Sequence, residues 1–253
     1  MRAPPPALTN RPDWPDAWAL FLDIDGTLLE LAPRPELVRV PPDLPARLCR
    51  LADALGGALA LVSGRPLATI DELFPVGLDA VGTHGAEWRL AGQVGEVTPA
   101  GRLPLAAIAR ALEEPLRHLP GVWMEPKPQS LALHFRAAAA LATQALRLAR
   151  VAVRALGPDY RLQAGKQVVE ILPASASKGA GIRRFLASPP YAGRIPIFVG
   201  DDLTDEDGFA AVNALGGLSV RVGAGADTQA HHALAAPADL RHWLAALAAS
   251  LKA

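Results

Sequence analysis

Cysteine is almost missing from this chain of 253 residues, which has only Cys49. A lone thiol closes no internal disulfide, and its place on the apolar side of an expected helix makes it inert packing, in keeping with a reducing cytoplasm. Aromatic residues are scarce too, at 5% against 51% hydrophobic overall, so the core must be aliphatic, built from Ala, Leu and Val. Neither sign of charge prevails, with 25 Lys plus Arg and 25 Asp plus Glu. That balance offers no electrostatic footprint for nucleic acid or an anionic membrane, and neither is expected as a partner. No stretch reaches about 18 uninterrupted apolar residues, and the Pro-rich residues 1–16 hold no continuous apolar segment of leader type. A cytoplasmic, monomeric globular protein is the expectation, long enough for one large domain or two small ones.

What is present is a set of carboxylates at the ends of apolar runs. Phe21-Leu22-Asp23-Ile24-Asp25-Gly26-Thr27-Leu28 puts two aspartates two residues apart beyond the run Ala19 to Leu22, then breaks at Gly-Thr. If that run is a buried strand, both carboxylates stand at its carboxyl end, where open α/β sheets bind their ligands. Strand alternation would send both side chains the same way. Adjacent carboxylates repel unless a cation or a shared proton relieves them, so the pair points to a metal or to a division of acid/base labour.

The rest of the chain alternates in the same manner. Leu44, Leu48, Leu51, Ala52 and Leu55 have helical spacing, and Gly56-Gly57 stops them. Ala58 to Val62 is a short apolar run that ends in Ser63-Gly64-Arg65-Pro66; a helix to about Leu73 and a strand near Leu78 to Val81 complete a β-α-β-α-β series. The rhythm changes after Gly82 to Glu87. A hairpin is expected over Trp88 to Val97, turning at Ala91-Gly92. Next come a helix on Leu105, Ile108, Leu112 and Leu116, strands Val122 to Glu125 and Ser130 to Phe135, a long helix Ala137 to Leu156, and strands Tyr160 to Ala164 and Val168 to Leu172 turning at Gly165-Lys166-Gln167. This order predicts a compact α+β insertion. Alternation resumes with a helix opened by Ser177-Lys178-Gly179, then a strand Ile195 to Val199 that ends in Gly200-Asp201-Asp202-Leu203-Thr204-Asp205-Glu206. Pro196 argues for an edge or a strand start. A helix to Ala214, a strand Leu218 to Val222 and a terminal helix close the chain, with His231-His232 expected at the surface.

Parallel topology gathers Asp23, Asp25, Ser63 and the Asp201-Asp202-Asp205 cluster on one sheet edge, with Lys178 at a helix start beside them. Oxygen ligands in that number suit Mg²⁺, which takes one or two carboxylates and keeps waters or phosphate oxygens. Asp23 is the candidate nucleophile and ligand; Asp25 is placed to move a proton; Lys178, Ser63 and loop N–H groups can neutralise a phosphate.

The pieces Asp23-Ile24-Asp25-Gly26-Thr27, Ser63, Lys178 and Gly200-Asp201-Asp202, in that order, resemble the four motifs of the haloacid dehalogenase phosphatase superfamily. Within it, Ser63-Gly64-Arg65, Gly82-Thr83-His84-Gly85-Ala86-Glu87, Ser130-Leu131-Ala132-Leu133-His134-Phe135-Arg136, Val168-Val169-Glu170-Ile171 and Gly200 to Glu206 closely resemble the trehalose-6-phosphate phosphatases. The resemblance implies an α/β fold, a Rossmann-like, doubly wound parallel sheet core (residues 1–87 and 174–253) carrying an inserted α/β cap (88–173). It implies Asp23 as nucleophile and Asp25 as general acid/base, with phosphate held by Ser63, Lys178, Gly26 and Thr27. Mg²⁺ would be held by the Asp23 carboxylate, the Asp25 carbonyl and Asp201, with Asp202 and Asp205 as auxiliary ligands. The sugar phosphate trehalose 6-phosphate would be contacted by Arg65, His84, Glu125, Lys127, Arg136, Lys166 and Glu170. The Pro-rich Glu125-Pro126-Lys127-Pro128 departs from the family pattern.

Plainer roles compete at several of these positions. Ser63-Gly64-Arg65 can be an ordinary turn, and Arg65 can pair with an acidic neighbour. Ser177 can be only a helix cap. His84 and His134 have no zinc-spaced companions and suit orienting roles. Glu170, in an apolar strand, can belong to a buried ion pair. For the whole chain the other classes are a sugar-phosphate phosphatase of different or broad specificity and a non-catalytic, receiver-like regulatory module.

Overall fold

In the computed structural model the described residues are 18–250, apart from 33, 98, 100–104, 166 and 226. The Pro-rich lead-in and Lys166 therefore lie outside the described residues. The chain divides into two compact units, one of residues 1–94 and 177–253, the other of residues 95–176. No helix among the described residues is long and apolar enough to cross a membrane.

The larger unit begins with β1 (Trp18–Leu22), α1 (Leu44–Ala54), β2 (Leu59–Val62), α2 (Leu67–Leu73), β3 (Asp79–Gly82), β4 (Glu87–Leu90) and β5 (Gln93–Glu96). After the smaller unit's α3 (Leu105–Arg117), β6 (Trp123–Pro126), β7 (Leu131–His134), α4 (Ala142–Leu156), β8 (Tyr160–Gly165) and β9 (Val168–Pro173), the chain returns with α5 (Lys178–Leu186) and β10 (Ile195–Gly200). It ends with α6 (Glu206–Ala214), β11 (Leu218–Val222), β12 (His232–Leu234) and α7 (Pro237–Ser250).

The large sheet has the order β12-β11-β10-β1-β2-β3-β4-β5, parallel from β12 to β3 and antiparallel from β3 to β4. Every residue of β1 and β2 is buried, as it must be when helices cover both faces. The chain builds outward through β2 and β3, then restarts on the other side of β1 with β10. The strand order thus reverses at β1, and Leu22 stands level with both Leu61 and Val199. Asp23, Ser63 and Asp201, the residues just beyond or within one position of these ends, leave the sheet at its carboxyl edge beside the switch point.

Pro196 falls at the start of β10, the second of its two expected positions, and is tolerated in a central strand because pairing to β11 begins only at Ile197. Three details differ from what the sequence suggests. The hairpin expected in the insertion extends the large sheet, since β4 pairs with β3; its turn has Ala91 and Gly92 both at positive φ, the geometry a two-residue hairpin needs. The long alanine-rich helix starts late: 136–141 form a 3-10 stretch broken at Ala138 (φ −143°), and the α-helix begins at Ala142. The buried Phe135 just before it anchors the chain in the smaller core and overrides alanine's helical preference. Finally, His232 belongs to the short strand β12, too brief to leave an alternation signal.

The smaller unit is a four-stranded antiparallel sheet, β6-β7-β9-β8, with α3 and α4 packed on one face. Leu131, Leu133, Val169 and Ile171 form its core with Ile108, Leu112, Ala145 and Ala149 of the helices. The alternate residues of the same strands, Glu125, His134 and Glu170 among them, belong to the opposite face.

Candidate active site

A tight loop follows β1. Leu28 and Leu29 N–H both donate to the Ile24 carbonyl (3.0 and 2.9 Å), and Gly26 N–H donates to the Leu29 carbonyl (2.8 Å). This folds Thr27 back so that its Oγ1 donates to Asp23 Oδ2 at 2.8 Å. Lys178, at the first turn of α5, donates from Nζ to Asp23 Oδ1 (2.7 Å) and to Asp205 Oδ1 (2.6 Å). Both oxygens of Asp23 are thereby fixed by groups that approach from different elements.

Asp205 has its second oxygen engaged as well, accepting the N–H of Asp201 and of Asp202 at 2.9 Å each. It shapes the loop after β10, while Asp202 caps the following turn by accepting from Leu203 N–H at 2.7 Å. Gly26 takes φ +84°, and a Cβ there would stand 2.3 Å from Asp201 Oδ2; glycine is what lets the two loops meet.

Ligand atoms of the buried residues Asp23, Asp201 and Asp205 lie within 4.8 Å of one another. Burial pushes the Asp23 carboxyl well above its ordinary value; the Lys178 charge pulls it back, and the charges of Asp205 and Asp201 push it up again. Burial would lower the Lys178 ammonium, but Asp205 and then Asp23 outweigh it and the net shift is upward. Three carboxylates gather around the Lys178 ammonium, and their hard oxygen donors suit a divalent cation. Of the five aspartates expected around a metal, the structure brings these three together and gives the carboxylates of Asp25 and Asp202 other partners.

Asp25 is gripped by Arg65, from Nε to Oδ2 at 2.6 Å and from Nη2 to Oδ1 at 2.8 Å. Arg65 is held in turn through its own N–H, which donates to Ser63 Oγ at 3.1 Å, so the Ser63 side chain accepts one bond and keeps its O–H to donate. His84 N–H donates to the Ser63 carbonyl (3.0 Å), and the imidazole packs so closely over Gly64 that a Cβ there would meet Nε2 at 2.5 Å. Thr83 and His84 both adopt positive φ, a strained pair that brings this ring onto the Ser63 turn.

In the smaller unit, Glu170 is buried and accepts from Lys127 Nζ (3.1 Å) and from Ser130 Oγ. Glu125 bonds His134 Nε2 at 2.8 Å, and this bond, then the nearby Lys127 charge, holds its carboxyl below the ordinary range despite partial burial. Arg136 is exposed at the start of the 3-10 stretch. Ser130 was not singled out by sequence as a partner of Glu170; its only signal is its place in Ser130-Leu131-Ala132-Leu133-His134.

A trehalose-phosphatase family model matches residues 21–240. The chain is 47% identical over 216 residues to a probable trehalose-phosphate phosphatase of Sinorhizobium fredii, covering 82% of this chain and 78% of that one. It is 42% identical over 254 residues to the trehalose-6-phosphate phosphatase of Escherichia coli, covering 97% and 92%. Among solved structures, the C-terminal domain of the C. albicans trehalose-6-phosphate phosphatase shares the fold with a TM-score of 0.77, covering 92% of each chain at 23% identity.

Proposed function

The chain belongs to the trehalose-phosphatase family, and from that premise we propose how its own residues release phosphate from trehalose 6-phosphate. Asp23 is the nucleophile. The observation that carries this assignment is the double hold on its buried carboxylate by Thr27 and Lys178, which fixes both oxygens from two sides. One Asp23 oxygen attacks phosphorus as the bond from phosphorus to the sugar O6 breaks, and Asp25 gives O6 its proton. Trehalose leaves. Water then attacks the phosphorus, Asp25 takes the water proton, and the bond to Asp23 breaks to give inorganic phosphate and the free carboxylate.

Lys178 and the Ser63 hydroxyl hold the phosphate oxygens; the N–H groups of Gly26 and Thr27, expected from the sequence to join them, are spent inside the loop on the Leu29 and Ile24 carbonyls. Mg²⁺ is the proposed cation, held by the carboxylates of Asp23 and Asp201 and the Asp25 carbonyl, where it supplies positive charge against the phosphate. Asp205 contributes by fixing the Asp201-Asp202 backbone and Lys178. Because Arg65 occupies both Asp25 oxygens, one of those bonds must open for proton transfer. In the smaller unit, Glu125, Lys127 and Glu170 offer charged partners to sugar hydroxyls, with Arg136 and Lys166 as further contacts.

Phosphate release across trehalose 6-phosphate, sucrose 6-phosphate and glucose 6-phosphate, each with Mg²⁺ and with chelator, tests substrate and metal together. Selective, Mg²⁺-dependent turnover of the first is expected; comparable rates on all three would reduce the assignment to a general phosphatase.

A further inference from the structure

Among the described residues the aromatic side chain left exposed is Trp123, at 45% of its full accessibility. It lies on β6, an edge strand, directly across from His134. An exposed indole on a sheet edge is an association hazard that a chain so poor in aromatics could avoid with almost any other residue. It is also not loose: the indole stacks on the His134 imidazole with centroids 4.0 Å apart and planes 9° from parallel. His134 is itself tied to Glu125 at 2.8 Å. One face of the indole is thus covered by a fixed ring, and the exposed area belongs to the other face and the ring edge.

The neighbours say what that face suits. By strand alternation Trp123 and Glu125 project to the same side of β6, away from the side buried against α3 and α4. The Lys127 and Glu170 pair, 3.1 Å apart, adjoins Glu125 closely enough for both charges to act on its carboxyl. A rigid aromatic plane beside carboxylates and an ammonium fits a neutral pyranose: the C–H groups of the ring stack on the indole while its hydroxyls bond the charged groups. A plane already locked in place loses little side-chain freedom when a ligand settles on it.

We propose that Trp123 is a stacking platform for a pyranose ring of the sugar substrate, and so a determinant of sugar specificity. This rests on the reading of Glu125, Lys127 and Glu170 as sugar contacts. Its effect is on substrate affinity and not on the bond-making step.

The test is steady-state kinetics of the full-length wild type, Trp123→Ala and Trp123→Phe on trehalose 6-phosphate and on p-nitrophenyl phosphate. For Trp123→Ala the KM for trehalose 6-phosphate should rise about ten-fold with kcat nearly unchanged, the signature of lost ground-state and transition-state binding alike. Trp123→Phe should recover most of that loss, and all three proteins should hydrolyse p-nitrophenyl phosphate equally. An unchanged KM in Trp123→Ala overturns the platform, as does an equal loss on both substrates, which would make Trp123 structural. A wild type that does not hydrolyse trehalose 6-phosphate would instead overturn the underlying functional reading.

Discussion

Arg65 clasps Asp25 through two parallel hydrogen bonds, 2.6 and 2.8 Å long, joining the loop after β2 to the loop after β1. The pair spans 40 residues of sequence and takes both oxygens of the carboxylate assigned to proton transfer. We therefore propose that Arg65 acts through Asp25, by orienting it.

Replacing Arg65 by Ala should lower kcat by roughly 10-fold to 100-fold, less than the roughly 10²- to 10⁴-fold a general acid–base contributes, because Asp25 itself remains, with a smaller change in KM. Arg65→Lys should restore only part of it, because an ammonium cannot form the planar, two-point grip. Kinetics of both variants on trehalose 6-phosphate check this; a large KM increase with unchanged kcat would make Arg65 a substrate ligand instead.

Lys178 is buried between Asp23 and Asp205, so removing it leaves two carboxylates close together without their cation. Lys178→Met should destabilise the apo protein by about 3–5 kcal/mol, the usual cost of breaking a buried ion pair from one side. Urea unfolding with and without Mg²⁺ measures it, and the metal should recover part of the loss.

Gly26→Ala would push a methyl into the Asp201 carboxylate at a position with φ +84°. Turnover at saturating substrate should fall by more than about ten-fold and the Mg²⁺ concentration for half-activity should rise, since Asp201 must move. A Mg²⁺ titration of activity reads both effects.

The carboxyl of Glu125 is held below its ordinary value by its bond to His134 and then by the Lys127 charge. A depressed carboxyl contributes stability that is fully present above its unfolded value near 4.5 and is lost as pH falls through the lower folded value. The stability difference between wild type and Glu125→Gln should therefore shrink as pH falls below about 4.5. Denaturation at a series of pH values follows it.

Much of the scaffold was legible in the sequence because buried parallel strands are short apolar runs, and Asp23, Ser63 and Asp201 each follow one directly. Lys178 could be placed because Ser177 beside it marks a helix start, and Ser177 Oγ does accept from Ala180 N–H at 3.1 Å. Partner choice was not legible. That Arg65 takes Asp25, that Ser130 and Lys127 share Glu170, and that Asp205 serves the backbone and Lys178 all depend on which loops the topology brings together. Local spacing does not encode that. The late start of α4 escaped for a related reason: a buried Phe135 outweighed the helical preference of the alanines after it.

The most direct test of Asp23 as nucleophile is to quench the enzyme in single turnover with trehalose 6-phosphate, reduce the acyl phosphate with borohydride and map the modified residue by mass spectrometry. Conversion of Asp23 to homoserine, absent in an inactive but folded Asp23→Asn protein, is the expected result. Near wild-type phosphate release by Asp23→Asn, or modification at another residue, would contradict the account.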